Sequence, residues 1–256
     1  MTTGTDPGTE PGTELGTGQG IEPGAEPAAR PGDELCAPIA AAPPGRPFVV
    51  AQLGQSLDGR IATPSGDSRW INREAALDHL HRLRAHVDAV VVGVGTVVAD
   101  DPMLNVRRVT GRHPARVVID PRGRAPVAAR CFADDGTARY VVRTSKAPPA
   151  PPGVEAIVVS PVGDRVAPRD VVVALFARGL RRILIEGGAT TVSAFIDAGM
   201  VDRLHVLVSP LILGSGKTGL SLAPISKVAQ ALRPRTSVHV LSDGDVVFDC
   251  DLRNRS

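Results

Sequence analysis

The sequence predicts an α/β fold with a mostly parallel central sheet and an antiparallel edge near its C-terminal end. Three observations predict it. Short apolar, β-branched runs alternate with helical segments, the pattern of a sheet buried on both faces. The last two runs are joined by a tight turn, which makes them a hairpin. Four segments place small or polar residues at the end of an apolar strand: Ser56–Ala62, Gly93–Arg107, Ile183–Thr191 and Val208–Leu220. In an open α/β sheet the ligand crevice lies beyond the carboxyl ends of the strands. Four such ends in one small domain suggest a large ligand or two adjacent ones, as in an enzyme with a nucleotide-like cofactor.

Taken in order, Phe48–Gly54 is apolar and β-branched and reads as a central strand. Asn72 is placed to cap a helix running to about His86, with Glu74 in its first turn where the dipole favours an acid. Ala76, Leu80, Leu83 and Val87 form its apolar stripe. Ala89–Val94 is a second buried strand, followed by a short helix over Gly95–Ala99. Strands follow at Arg116–Asp120, Arg139–Arg143 and Glu155–Ser160, then a helix over Pro168–Arg178 and a strand at Arg181–Glu186. Gly199 ends the helix Thr190–Ala198. Strands at Arg203–Ser209, Thr236–Leu241 and Val246–Leu252 complete the sheet, the last two turning at Ser242–Asp245.

Residues 1–45 stand apart. They hold seven acids and one base, repeat units such as Pro7–Glu10, and are rich in Gly, Pro, Thr and Glu. Such a segment buries too little apolar surface to offset its chain entropy, so a disordered acidic tail is expected over 1–45 and one folded domain over 46–256. The remainder carries 20 acids and 28 bases, a net of +8 that favours phosphate-bearing ligands. The bases are scattered and aromatic residues are only 3% of the chain, which argues against nucleic acid. No apolar run approaches the roughly 18 residues of a membrane span, and nothing reads as a secretory signal. Cys36, Cys131 and Cys250 are odd in number and lack metal-ligand spacing, which fits a reducing cytoplasm and no metal.

Several motifs fail. Gly214–Thr218 resembles the end of a P-loop, but the required earlier glycine is Leu211. Gly93 and Gly95 begin a dinucleotide fingerprint whose third position is Val98. His79 and His81, two apart on a helix, do not share a face and cannot chelate a metal. Gly187–Gly188 carry more information. They lie between a strand and the helix opening Ala189, Thr190, Thr191, where unpaired N–H groups, a positive dipole end and hydroxyls suit a pyrophosphate. A plain tight turn is the alternative. Glu186, at the end of an apolar strand, must be paired or used. Asp100 and Asp101 offer acceptors for an amide or a ribose hydroxyl, or simply stop a helix before Pro102.

The segments SLDGRIA, GDSRWIN (Gly66–Asn72), Arg82–Arg107, ILIEGGATT and Met200–Gly216 together resemble the reductase domain of the bacterial riboflavin-biosynthesis deaminase/reductase family. The resemblance covers Pro47–Leu252 in order. It implies a dihydrofolate-reductase-like fold, a homodimer and NADPH. It also implies reduction of the ribosyl group of a 5-amino-6-ribosylaminopyrimidine 5′-phosphate to ribityl. The zinc deaminase motifs of the bifunctional members do not occur in this sequence.

By the same resemblance, Gly54, Trp70, Thr96, Asp100 and the turn Gly188, Ala189, Thr190, Thr191 face NADPH. Ser68, Arg84, Leu104, Arg107 and Glu186 face the substrate. From its own position, ending the strand before the glycine turn, Glu186 is the catalytic candidate, a carboxyl group that protonates or hydrogen-bonds an imine nitrogen. Arg84 is read as a phosphate ligand or as an arginine lying over the core, and Trp70 as a nicotinamide platform or a core filler. Gln52 stands where many relatives have Lys, and Pro121 where a small hydroxyl residue is common. Gln52 therefore keeps open a related reductase acting on a folate-like pterin or another pyrimidine. A non-catalytic nucleotide-binding regulator is the second alternative, against which Glu186 and Asp100 argue.

Overall fold

Residues 33–253 are described by the computed structural model. A 3₁₀ turn at Asp33–Leu35 and a short helix, α1 (Ala37–Ala40), precede the first strand. Leu35, Cys36 and Ile39 are buried, Cys36 and Ile39 in the same cluster as Phe48, Val50, Leu83 and Val90. The boundary expected at residue 45 is thus too late: the acidic composition of the tail conceals three apolar side chains that the core accepts. Residues 1–32 of that tail lie outside the described residues.

The strands are β1 (Phe48–Ser56), β2 (Arg60–Ala62), β3 (Ala89–Gly93), β4 (Ala115–Ile119), β5 (Arg139–Arg143), β6 (Glu155–Val158), β7 (Pro161–Val162), β8 (Arg165–Val166), β9 (Arg182–Ile185), β10 (Arg203–Ser209), β11 (Lys217–Thr218), β12 (Arg235–Val240) and β13 (Val246–Asp251). Nine of them form one sheet in the order β12-β13-β10-β1-β9-β3-β4-β5-β6. From β10 to β6 every neighbouring pair is parallel, and β13 runs antiparallel to both β10 and β12. The mostly parallel sheet with an antiparallel C-terminal hairpin stands as expected. The short pairs β2–β11 and β7–β8 were not predicted, because two or three residues carry no periodicity to detect.

Alternation along the central strands divides the core. Ile183 and Ile185 of β9 join Val49, Ala51 and Val91 under α4 (Pro168–Phe176) and α5 (Ala189–Asp197). Leu184 joins Val50, Val90 and Val92 on the opposite face, under α2 (Glu74–His86) and α3 (Val94–Asp100). The next residue of that second face, Glu186, therefore leaves the sheet on the α2 side.

The start of α2 departs from expectation. Asn72 does not cap it. Instead the carboxylate of Asp245 accepts hydrogen bonds from the Arg73 amide at 2.8 Å and the Asn72 Nδ2 at 3.2 Å. Asp243 accepts from the Ala75 amide at 2.8 Å. Two acids in the β12–β13 turn thus satisfy amides at the helix start from outside, a charge-assisted arrangement that a local sequence window cannot contain. The buried face of α2 also differs: Ala76, His79 and Leu83 are buried, with His81 and Arg84 beside them, while Leu80 is only half-buried.

Because Ile39 is fully buried against β1 and β3, Ile39→Ala should lower the unfolding free energy by about 2–5 kcal/mol in urea titrations. An unchanged midpoint would return this segment to the tail.

Candidate active site

A cleft of about 1110 Å³ opens at the carboxyl ends of β1, β9, β3 and β4. Its middle is built by the Gly187–Gly188 turn and the first residues of α5. Gly187 adopts a left-handed φ of 81°. A Cβ there would stand 2.7 Å from the Thr96 hydroxyl, so a larger residue would be strained and would collide. The Thr96 hydroxyl in turn accepts the Gly188 amide at 3.2 Å, tying α3 to this turn. On the other side of the turn, Gly93 admits Thr191, whose hydroxyl would lie 2.5 Å from a Cβ at position 93. Gly188 flanks α5 without a side-chain cap, which leaves the first helical amides directed at the cleft.

Of the expected cofactor residues, Gly54, Thr96, Asp100, Gly188, Ala189, Thr190 and Thr191 all line this cleft. Gly54 has a further requirement: a Cβ there would overlap the Asn72 carboxamide oxygen, at 1.9 Å. Trp70 does not line the cleft. It is 79% exposed, with a left-handed φ of 66°, on the segment that brings Gly66 and Ser68 to the cleft wall. It is therefore not a core filler. Lining residues that sequence reasoning missed include Lys217 and, at the far end, Arg122, Arg124 and Arg165. Arg122 pairs with Asp164 at 2.7 Å, whereas Arg124 and Arg165 have no carboxylate partner among the described residues. The run Arg122, Gly123, Arg124, separated from β4 only by Asp120 and Pro121, is the available signal.

Of the expected substrate residues, Arg84, Leu104, Arg107 and Glu186 gather beside Gly187, on the α2 face. Arg84 and Glu186 form a two-pronged ion pair, Nε to Oε1 at 2.8 Å and Nη2 to Oε2 at 2.7 Å, with side chains only 7% and 6% exposed. The third prong, Nη1, donates to the Asn105 carbonyl at 3.0 Å. The sequence reading of Arg84 as a phosphate ligand or as a side chain over the core is replaced by a buried partner of Glu186. The reason is electrostatic: a carboxylate left alone at the end of an apolar strand is too costly to bury.

The loop after α3 completes this cluster. Asp101 and Leu104 take left-handed φ values of 40° and 55°, and Leu104 is buried. Arg107 follows at the surface, its Nη1 donating to the Asn105 side-chain oxygen at 3.0 Å. Burial, then the guanidinium groups of Arg84, Arg130 and Arg108, lower the Arg107 pKa from its ordinary value. Arg108 is neutralised by Glu74 and Asp78, but Arg107 and Arg130 have no carboxylate partner among the described residues. Two unpaired cations thus lie beside a neutralised pair, an arrangement that attracts an anion. Ser68 lies on the cleft wall rather than in this cluster. Among the described residues no group of His, Cys, Asp and Glu could hold a metal ion, and no helix is long and apolar enough to cross a membrane.

Two histidines of α2 are buried, and burial is the main cause lowering their pKa values from 6.5, His79 to about 3 and His81 to about 4. The folded chain then binds fewer protons than the unfolded chain below about pH 6.5. Stability should be complete above that pH and fall as the solution is acidified towards pH 4, in urea unfolding followed by circular dichroism. His79→Phe should make the decline shallower, and an unaltered slope would contradict the assignment.

The RibD C-terminal domain family matches residues 47–246. A 2,5-diamino-6-ribosylamino-4(3H)-pyrimidinone 5′-phosphate reductase from Methanothermobacter thermautotrophicus is 36% identical over 197 residues, covering 73% of this chain and 90% of the relative. The riboflavin biosynthesis protein RibD of Actinobacillus pleuropneumoniae is 30% identical over 212 residues, and this chain spans only 56% of its length. Among solved structures, the Thermotoga maritima diaminohydroxyphosphoribosylaminopyrimidine deaminase/5-amino-6-(5-phosphoribosylamino)uracil reductase aligns with a TM-score of 0.69. Identity there is 30%, and the match covers 80% of this chain and 56% of that one.

Proposed function

The chain belongs to the RibD C-terminal domain family, and from that premise we propose that it reduces a 5-amino-6-(5-phosphoribosylamino)pyrimidine to its ribitylamino form with NADPH. The observation that carries this reading is the contiguity of two sites: a glycine turn suited to pyrophosphate and, one residue earlier, a buried carboxylate held by Arg84.

NADPH fits the cleft on the residues present. The amides opening α5 and the Thr190 and Thr191 hydroxyls would hold the pyrophosphate, with Gly54 and Thr96 near the nicotinamide end. Arg124 and Arg165, lacking carboxylate partners among the described residues, suit a 2′-phosphate and support NADPH over NADH. When bound, the cofactor supplies hydride. The protein's own part is position and charge. Arg107 and Arg130 would take the 5′-phosphate, and Ser68 and Gln52 the polar edge of the substrate. Gln52 is buried in the cleft wall and offers both a donor and an acceptor.

Reduction at C1′ requires the ribosylamine ring to open to an imine, which accepts hydride faster when its nitrogen carries a proton. Both carboxylate oxygens of Glu186 accept from the Arg84 guanidinium, so Glu186 serves better as the counter-charge to that cationic nitrogen than as its proton donor. Arg84 fixes where the charge sits.

NADPH oxidation should be observed with the deaminated or the non-deaminated pyrimidine, and not with dihydrofolate. Glu186→Gln should lower turnover by about 10² or more while NADPH affinity is retained. Preference for dihydrofolate would favour the pterin alternative, and unchanged turnover in the variant would remove Glu186 from the chemistry.

A homodimer is part of the proposal. The edge strand β12 and its neighbour β13 expose Val238, Val240 and Phe248, with Val238 directly across from Phe248. Val228 and Leu232 are exposed on the segment leading into β12. An apolar edge of this kind is what a two-fold interface covers. Light scattering should give a dimer for the wild type and a monomer for the double variant Val238→Glu/Val240→Glu. A wild-type monomer at micromolar concentration would refute this part.

A further inference from the structure

His81 is buried, lies outside the cleft and has no part in the chemistry proposed above. Its Nδ1 faces the Arg107 backbone amide at 3.1 Å, so the amide donates and the imidazole accepts. That role requires a neutral ring with its proton on Nε2. The surroundings enforce neutrality. Burial, then the guanidinium groups of Arg84, Arg107 and Arg108, oppose a charge on the ring, against the Asp78 carboxylate. A similar contact lies one residue earlier, where the Val106 amide donates to His113 Nδ1 at 3.2 Å.

These contacts bear on a strained loop. Leu104, a bulky residue in the left-handed region, persists only where its surroundings over-determine the backbone. From Leu104 to Arg107 the loop is held by the two imidazoles and by the Arg84 guanidinium on the Asn105 carbonyl. Released from His81, the Arg107 amide would turn to water and the direction of its side chain would be lost.

We infer that His81 is a positioning residue, an imidazole acceptor that fixes the backbone of Arg107 so that its guanidinium receives the phosphate of a phosphorylated sugar. The inference rests on the proposed function for the identity of that ligand, and extends the binding machinery to a residue that never touches it.

The test is calorimetric titration of the full-length protein with ribose 5-phosphate, with NADP⁺ saturating so that the cofactor's own phosphate subsites are filled. His81→Leu removes the acceptor, His81→Asn keeps one near the position of Nδ1, and Arg107→Met removes the cation. Ribose 5-phosphate should bind about tenfold more weakly to His81→Leu and close to normally to His81→Asn. In the Arg107→Met background, His81→Leu should change nothing further, because it acts only through Arg107. Should His81→Leu fail to fold, the comparison of His81→Asn with His81→Gln, whose longer amide cannot place its oxygen at Nδ1, replaces it, with only Gln impaired. Wild-type affinity in His81→Leu, an equal loss in the Arg107→Met background, or no binding to the wild type overturns the inference. Turnover of the wild type is measured separately. If it is absent while the binding pattern holds, the proposed reaction is wrong and the role of His81 stands.

Discussion

Glu186 continues the face of β9 that carries Leu184 into the core, and that placement constrains much of what surrounds it. A buried carboxylate without a partner costs several kcal/mol, and breaking such a pair by removing one partner is strongly destabilising. The chain meets this cost with one side chain, Arg84, delivered from the last turn of α2. For Arg84 to arrive with the correct orientation, α2 must start in the correct place, which Asp243 and Asp245 secure from the distant β12–β13 turn. Its third prong then needs an acceptor, which the strained loop after α3 provides through the Asn105 carbonyl. Helix, hairpin turn and loop thus converge on one ion pair.

The neighbouring glycine turn obeys a different constraint, that of space. Glu186 and Gly187 are adjacent, yet one demands charge compensation and the other demands the absence of a side chain. Thr96 occupies the volume a Cβ at Gly187 would need, and Thr191 does the same at Gly93. Two threonines from α3 and α5 are thereby interlocked with two glycines at the ends of β9 and β3. Close backbone approach of this type leaves amides rather than side chains facing the cleft, which suits phosphate. A polar lock and a steric lock, one residue apart, place the two proposed binding regions in fixed relation.

Much of this was legible in the sequence because the signals were local. The parallel strands announced themselves as short β-branched runs, and the Gly187–Gly188 turn by its position between a strand and a helix. Glu186 stood out because an acid at the end of Ile183–Ile185 has to be paired or used, and it is paired. What could not be read depended on contacts between remote segments. Asn72 looked like a helix cap, whereas the acids that serve this helix lie some 170 residues away. Arg84 looked free because nothing in its own helix hints at Glu186, 102 positions on. In the sequence His81 shows only as half of a failed metal pair, since its acceptor role exists only once the loop bearing Arg107 folds back over α2. Leu35, Cys36 and Ile39 are hidden by an acidic, proline-rich context whose composition outweighs three buried side chains.

In the proposed chemistry, NADPH would supply hydride to C1′ of an opened ribosylamine, with the Glu186–Arg84 pair as the neighbouring counter-charge. The most direct measurement is the fate of the transferred hydride: turnover with NADPH deuterated at C4 of the nicotinamide, followed by mass spectrometry and NMR of the product. The expected result is a single deuterium at C1′ of the ribityl chain, from one face of the nicotinamide only. Deuterium on the pyrimidine ring, or a deuterium-free product formed while NADPH is consumed, would contradict it.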